Sequence, residues 1–300
     1  TEEDIQTFVT GLINDAIEAD LMGIPIIKDT TELIPNPLPY GEFWTDTTVY
    51  CRVQPLLKTK WHQDAPFNNN YPSINGTKKY AGCGVIATAQ LVYYNRQPSN
   101  YNGVFFDWNL ISQYEYPHTQ SYSADIAIAN FTFSLANGVG ATYNNLNELP
   151  TATYTNGIQN FFQNNGYNNA SFNTYSLSGI TYLLALTKPV LTYGRPSYTT
   201  MGHYWIIDGC NVFKLDHWVK KFKYPVAIGE EAYEEYIYDT ENYNLLHCNY
   251  GWGGSCDGYY TTGIFETRIK LTSEYIDSTI GDIADTNEDL YDTNLLILNY

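Results

Sequence analysis

Apolar residues recur at Ile5, Phe8, Val9, Leu12, Ile13, Ala16 and Ile17, the spacing of one helical face. Glu2, Glu3 and Asp4 fall in the first turn of that helix, where the macrodipole favours negative charge. The stretch from Pro35 to Phe43 follows, with three prolines between 35 and 39. It cannot continue a helix and predicts an extended linker. Residues 1–45 therefore read as an N-terminal appendage, and residues 46–300 as the main domain. Within that domain the pattern predicts an almost wholly apolar helix over 84–94 and a second buried helix over 124–137, closed by Gly138. A third covers 156–166 with Gly166 beyond its end, and a fourth follows Gly179. The period then changes. Residues 189–194, 203–209, 234–239, 244–250 and 258–262 are rich in β-branched and aromatic residues separated by turn formers, and predict strands. NLLILNY closes the chain as another. Helices first and an antiparallel sheet afterwards define an α+β protein with a helical half and a sheet half.

Composition narrows the functional classes. The chain has 300 residues, 44% of them hydrophobic and 16% charged, enough to bury a core without disulfide or metal support. Its formal charge is −17, from 32 acidic and 15 basic residues. Such a chain lacks the basic face that nucleic acids and anionic membranes require. No run of about 18 apolar residues predicts a membrane span. The 29 tyrosines and the frequent asparagines lean toward work outside the cell. The chain opens at Thr1 without Met, as a trimmed fragment would. The acidic stretch 282–292 reads as a solvated loop.

Five cysteines, Cys51, Cys83, Cys210, Cys248 and Cys256, leave at least one without an intrachain partner. No CxxC occurs. His247 and Cys248 are adjacent on a predicted strand and point to opposite faces, so they do not suit one metal ion. Neither a metal nor an organic cofactor is expected.

Cys83 stands apart. Gly82 and Gly84 flank it, removing side chains beside the sulfur, and the apolar helix begins at once. A helix N-terminus favours a thiolate by roughly 0.3–1 kcal/mol. A buried packing cysteine is the plain alternative, but it does not need flanking glycines. A nucleophilic thiol needs a base. His203, after Gly202 and at the start of a strand, is the best placed of five histidines. His217 lies in the basic stretch HWVKKFK and reads as exposed, His118 in a proline-flanked loop, His247 on a strand as a structural residue, and His62 beside Gln63. The base in turn needs an orienting partner, for which Asn249 in HCNYGWGG is the candidate. Oxyanion donors are the Cys83 amide and the Gln63 side chain. GWGGSCDG looks like a phosphate loop but precedes no helix; its glycines let the chain turn tightly around Trp252.

The order Gln, Cys, His, Asn is that of papain-like thiol peptidases. The words LLKTKWHQDAPFNNNYP, AGCGVIATAQLVYY, FDWNLI, KPVLTYG, GHYWIIDG and NYGWGGSCDGYY together resemble the streptopain family of secreted bacterial cysteine peptidases, from about residue 50 to residue 263. The resemblance implies a papain-like two-half fold with the cleft between helices and sheet, and endopeptidase activity on protein or peptide substrates. It also implies a zymogen with an inhibitory propeptide, and a secreted or cell-surface location. Cys83 would be nucleophile, His203 general base and acid, Gln63 oxyanion donor and Asn249 the partner of His203. Gly82, Gly202, Trp108, Tyr250 and Trp252 would line the substrate site, beside an apolar pocket for the residue two positions before the cut. The chain departs from the pattern at Tyr250, where the family carries a tryptophan. It departs again over 212–243, which predicts an extra hairpin or flap. The appendage matches the tail of a propeptide. A catalytically silent binding or inhibitory protein, and a thiol acyl-transferase, are the alternatives on the same scaffold.

Overall fold

The computed structural model describes residues 42–115, 120–143, 151–197, 202–222, 233–263, 265–266, 290–291 and 293–300. The amphipathic helix and most of the proline linker lie outside these residues, as does His118. The described chain opens with strand β1 (Glu42–Val53), so residues 42–45, assigned by the sequence to the appendage, begin a strand. Two short hairpins, β2 (Ser73–Ile74) with β3 (Thr77–Lys78) and β4 (Asn100–Tyr101) with β5 (Val104–Phe105), flank helix α1 (Cys83–Asn95). Helices α2 (Trp108–Ile111), α3 (Tyr122–Gly138) and α4 (Thr155–Asn164) follow, then β6 (Ser171–Thr174) and α5 (Leu177–Ala185). Strands β7 (Val190–Arg195), β8 (His203–Phe222), β9 (Tyr233–Asn249), β10 (Gly258–Thr261), β11 (Phe265–Glu266), β12 (Leu290–Tyr291) and β13 (Thr293–Asn299) complete the chain.

The helices begin where capping chemistry allows. The Ser121 hydroxyl accepts from the Ala124 N–H at 3.2 Å and starts α3; Ser176 accepts from Gly179 N–H at 3.3 Å and starts α5 before Gly179. Each satisfies an N–H that the helix leaves open. Helix α1 has no side-chain cap. It is held by burial, with ten of its residues, from Gly84 to Tyr93, withdrawn from solvent. Its apolar surface on every side is the mark of a core helix. Around it Trp61, Phe67, Tyr93, Phe106 and Phe131 form an aromatic cluster with tilted and edge-on contacts of 4.7–6.2 Å, the arrangement ring quadrupoles favour.

The main sheet has the order β10-β9-β8-β7-β13-β6, and β1 pairs with β8. Antiparallel pairing of β7 with β8 sets Tyr193 opposite Tyr204 and Gly194 opposite His203. Directly paired residues share a face. Tyr193 and Tyr204 therefore lie together, with ring centroids 4.8 Å apart, and His203 points to the other side.

The chain forms two compact units, Thr1–Arg52 with Asn211–Asn244 and Leu271–Gly281, and Val53–Cys210 with Leu245–Lys270 and Asp282–Tyr300. In the first, the described residues of the predicted hairpin or flap, 212–222 and 233–243, continue β8 and β9. Trp44 stacks on Trp218 at 6.0 Å and Phe213 on Tyr243 at 4.8 Å. His217 is not exposed as expected: its Nδ1 meets the Thr45 hydroxyl at 3.0 Å and its Nε2 lies 3.3 Å from Glu241.

The second unit contains the remaining chemistry. Cys210 is disulfide-bonded, and Cys248 is a fully buried thiol. Asp208 is buried and accepts from the Leu57 N–H at 2.9 Å and from His247 Nδ1 at 2.6 Å. Burial pulls the His247 pKa down, but the charge and hydrogen bond of Asp208, with Asp257 adding, outweigh it and the net shift is upward. A raised folded-state pKa stabilises the fold below the ordinary histidine value of 6.5 and ceases to do so as pH rises through the folded-state value. Denaturant midpoints should therefore fall as pH rises above neutrality in the wild type, and this step should be absent in His247→Gln. His247→Ala, leaving Asp208 buried without its partner, should cost roughly 3 kcal/mol at pH 6, measured by urea titration.

Candidate active site

Cys83 occupies the first position of α1, partly buried, behind Gly82 at φ 91°. That left-handed backbone suits glycine. The two glycines also answer a steric demand. A Cβ at Gly82 would meet Thr151 at 3.0 Å, and one at Gly84 would meet Thr153 at 2.8 Å and the Tyr204 ring at 3.1 Å. The 151–153 segment thus lies directly on the thiol loop, and Thr151 ties to it by donating its hydroxyl to the Tyr80 carbonyl. Gly202 serves the histidine in the same way: a Cβ there would fall 2.5 Å from the Tyr193 ring.

The N–H groups of Tyr204, Gly84 and Cys83 itself act on the Cys83 thiol in favour of its thiolate. Tyr204 directly follows His203, so the sulfur sits against the start of β8. Burial raises the thiol pKa while these three amides oppose it.

His203 is buried, and burial lowers its pKa to about 4 against the opposing effect of its bond to Tyr250. Its Nε2 lies 2.9 Å from the Tyr250 carbonyl oxygen. A carbonyl only accepts, so Nε2 carries the hydrogen and Nδ1 keeps a lone pair. The ring is enclosed by Trp252 at 4.6 Å, Tyr250 at 5.8 Å and Tyr291 at 5.7 Å.

Asn249 is arranged differently from the expectation. The bond from His203 goes to the neighbouring backbone carbonyl, while the Asn249 amide is engaged elsewhere. Its Oδ1 accepts from Gln90 Nε2 and from the Gly251 N–H, both at 3.1 Å, and its Nδ2 donates to the Thr59 carbonyl at 2.7 Å. Tyr250 is fully buried. Its hydroxyl and the indole N–H of Trp205 have no oxygen or nitrogen partner, only the weakly accepting sulfur of Cys248 beside them.

Gln63 is tied to the segment before Cys83 through its backbone. Its carbonyl accepts from the Ala81 N–H at 2.9 Å, two residues before Cys83, and its side chain is partly exposed. Trp61, next in the same loop, accepts at its carbonyl from the Gly253 N–H at 2.9 Å. The glycine turn after Asn249 therefore closes on this loop and on α1, where a Cβ at Gly251 would meet Ile86 at 3.0 Å. Trp108 is not part of this group. Its ring packs in the helical layer against Tyr93, Phe106 and Phe131, with the Arg96 guanidinium over it.

Several participants escaped the sequence reading. Tyr291 belongs to the stretch read as a solvated loop, and nothing local marks it as a neighbour of His203. Thr151 and Thr153 carry no signal either. Gln90 did carry one, as an amide within an almost wholly apolar helix.

A thiol at a helix N-terminus, an imidazole at a strand start and a helical layer against an antiparallel sheet define a papain-like cysteine peptidase. The chain belongs to the Peptidase C10 family, whose profile matches residues 61–260. Among solved structures it is similar to active wild-type interpain A cysteine protease from Prevotella intermedia. That match has 17% identity and a TM-score of 0.59, and covers 82% of this chain and 94% of that one. A prointerpain A fragment from the same organism matches at 16% identity and a TM-score of 0.55, covering 98% of this chain and 82% of that one. No curated protein matches in sequence. No helix among the described residues is long and apolar enough to cross a membrane.

Two substitutions test the packing. Gly84→Ala should lower stability by about 1–3 kcal/mol through overpacking and reduce Cys83 reactivity, read by thermal melting and alkylation. Tyr250→Phe removes only a poorly partnered hydroxyl and should keep stability within about 1 kcal/mol of wild type.

Proposed function

We propose that this protein is a secreted bacterial cysteine endopeptidase, made with an inhibitory propeptide, in which Cys83 is the nucleophile and His203 the general base and acid. The observation that carries the reading is the packing of the Cys83 loop against Tyr204, the residue after His203, whose imidazole keeps Nδ1 free. Family membership and the prointerpain neighbour support it.

Burial acts on thiol and imidazole in the same sense, toward a neutral resting pair. His203 Nδ1 then takes the thiol proton as sulfur attacks the substrate carbonyl, a step for which general-base action supplies roughly 10²–10⁴-fold. The oxyanion that develops is met by the Cys83 amide and the Gln63 side chain. The imidazolium, held by the Tyr250 carbonyl, returns its proton to the leaving amine, which departs as the thioester forms. Water, deprotonated by the same nitrogen, attacks the thioester and releases the acid product and the thiol. Trp252, Tyr250 and Tyr291 exclude bulk water from the imidazole. Gly82 and Gly202 leave the backbone open for an extended substrate.

Incubation with a denatured protein, with and without a thiol-reactive epoxide, tests the reading. Internal cuts that the epoxide abolishes are expected. Cys83→Ala should remove them while leaving the melting profile intact, and cleavage by that variant would overturn the assignment. Because His203 stays neutral down to about pH 4, kcat/KM should hold through mildly acidic pH and fall only near that value.

A further inference from the structure

We propose that Thr59, Gln90 and Asn249 form a buried positioning triad that fixes the three segments of the active site to one another; this rests on the peptidase reading above. Their side chains close a ring of hydrogen bonds. The Thr59 hydroxyl donates to Gln90 Oε1 at 2.6 Å, Gln90 Nε2 donates to Asn249 Oδ1 at 3.1 Å, and Asn249 Nδ2 donates to the Thr59 carbonyl at 2.7 Å. All three residues are buried, at 2%, 0% and 3% exposure.

Each belongs to a different part of the site. Thr59 lies four residues before Gln63, on the segment that supplies the oxyanion amide. Gln90 lies seven residues after Cys83, two turns along the same face of α1. Asn249 precedes Tyr250, whose carbonyl holds His203 Nε2. The Gly251 N–H also donates to Asn249 Oδ1, which fixes the turn containing that carbonyl. The aim of the carbonyl therefore depends on where Asn249 is held.

The ring has one sense. Gln90 presents a donor to Asn249, whose Oδ1 only accepts, and so turns its own oxygen to the Thr59 hydroxyl, which donates to it. Without that hydroxyl the buried Gln90 oxygen loses its donor, and the side chain shifts to find another at the expense of its hold on Asn249. Apolar packing of α1 would hold the segments together but, being non-directional, would not select one register. A closed buried network does.

Thr59→Val keeps the shape and removes the donor, Thr59→Ser keeps the donor, and Gln90→Met keeps the length without polar atoms. Ile128→Val in α3 serves as a control of similar modest destabilisation. Two readouts are taken on folded protein: kcat and KM per titrated thiol, and the His203 titration midpoint by NMR. Thr59→Val and Gln90→Met should lower kcat about tenfold or more with KM within about twofold, the signature of lost transition-state geometry. Thr59→Ser should stay close to wild type. The His203 midpoint should move in Thr59→Val and not in Ile128→Val. Equal behaviour of Thr59→Val and Ile128→Val in both readouts would overturn the proposal, and the Thr59 pair decides it if Gln90→Met does not fold. A wild type that cleaves nothing, yet whose His203 midpoint responds to Thr59→Val, would sink the peptidase reading and leave the triad standing.

Discussion

The close approach of backbone to backbone around Cys83 is the constraint on which the site depends. Thr151 and Thr153 occupy the space that side chains at 82 and 84 would need. Only with that space empty can the thiol loop settle against the start of β8, where Gly84 packs on the Tyr204 ring. The fold supplies the two sides independently, a core helix with no cap of its own and a strand registered by β7. The glycines let them touch.

Around the histidine the logic changes from absence to enclosure. Four aromatic residues from three stretches, Trp205, Tyr250 with Trp252, and Tyr291, surround it. Their burial withdraws the imidazole from water and holds it neutral. Tyrosine at 250, where the related pattern has tryptophan, keeps the stacking but leaves its hydroxyl among sulfur and rings. The shield is preserved at the cost of one poorly satisfied polar group.

What the sequence disclosed follows the range of the forces involved. Cys83 and His203 were legible because their glycine neighbours and the change from helical to strand period are local signals. The elements themselves were legible for the same reason, apart from the twelve-residue β1 and from the short hairpins, α2, β6, β11 and β12, whose few residues carry little periodicity. The full length of β8 and β9 was obscured by charged residues, so that 212–243 read as an extra hairpin or flap, whereas its described parts, 212–222 and 233–243, belong to these two strands. Asn249 was found, but its hydrogen bonds were not: a residue name does not say which way an amide faces. Trp108 was assigned by its place in a motif, whereas its ring answers to Tyr93 and Phe131. Tyr291 was hidden because its contact with His203 spans more than eighty residues and no short-range pattern encodes it.

The oxygen that holds His203 belongs to the main chain. Any of the twenty residues at position 250 would bring the same atom, so no single codon change can delete that bond. Genetic variation reaches it only indirectly, by rotating a peptide plane, and a conventional alanine scan would pass over it without a trace. Replacing the peptide link between 250 and 251 by an ester, through chemical synthesis, is the kind of alteration that would touch it.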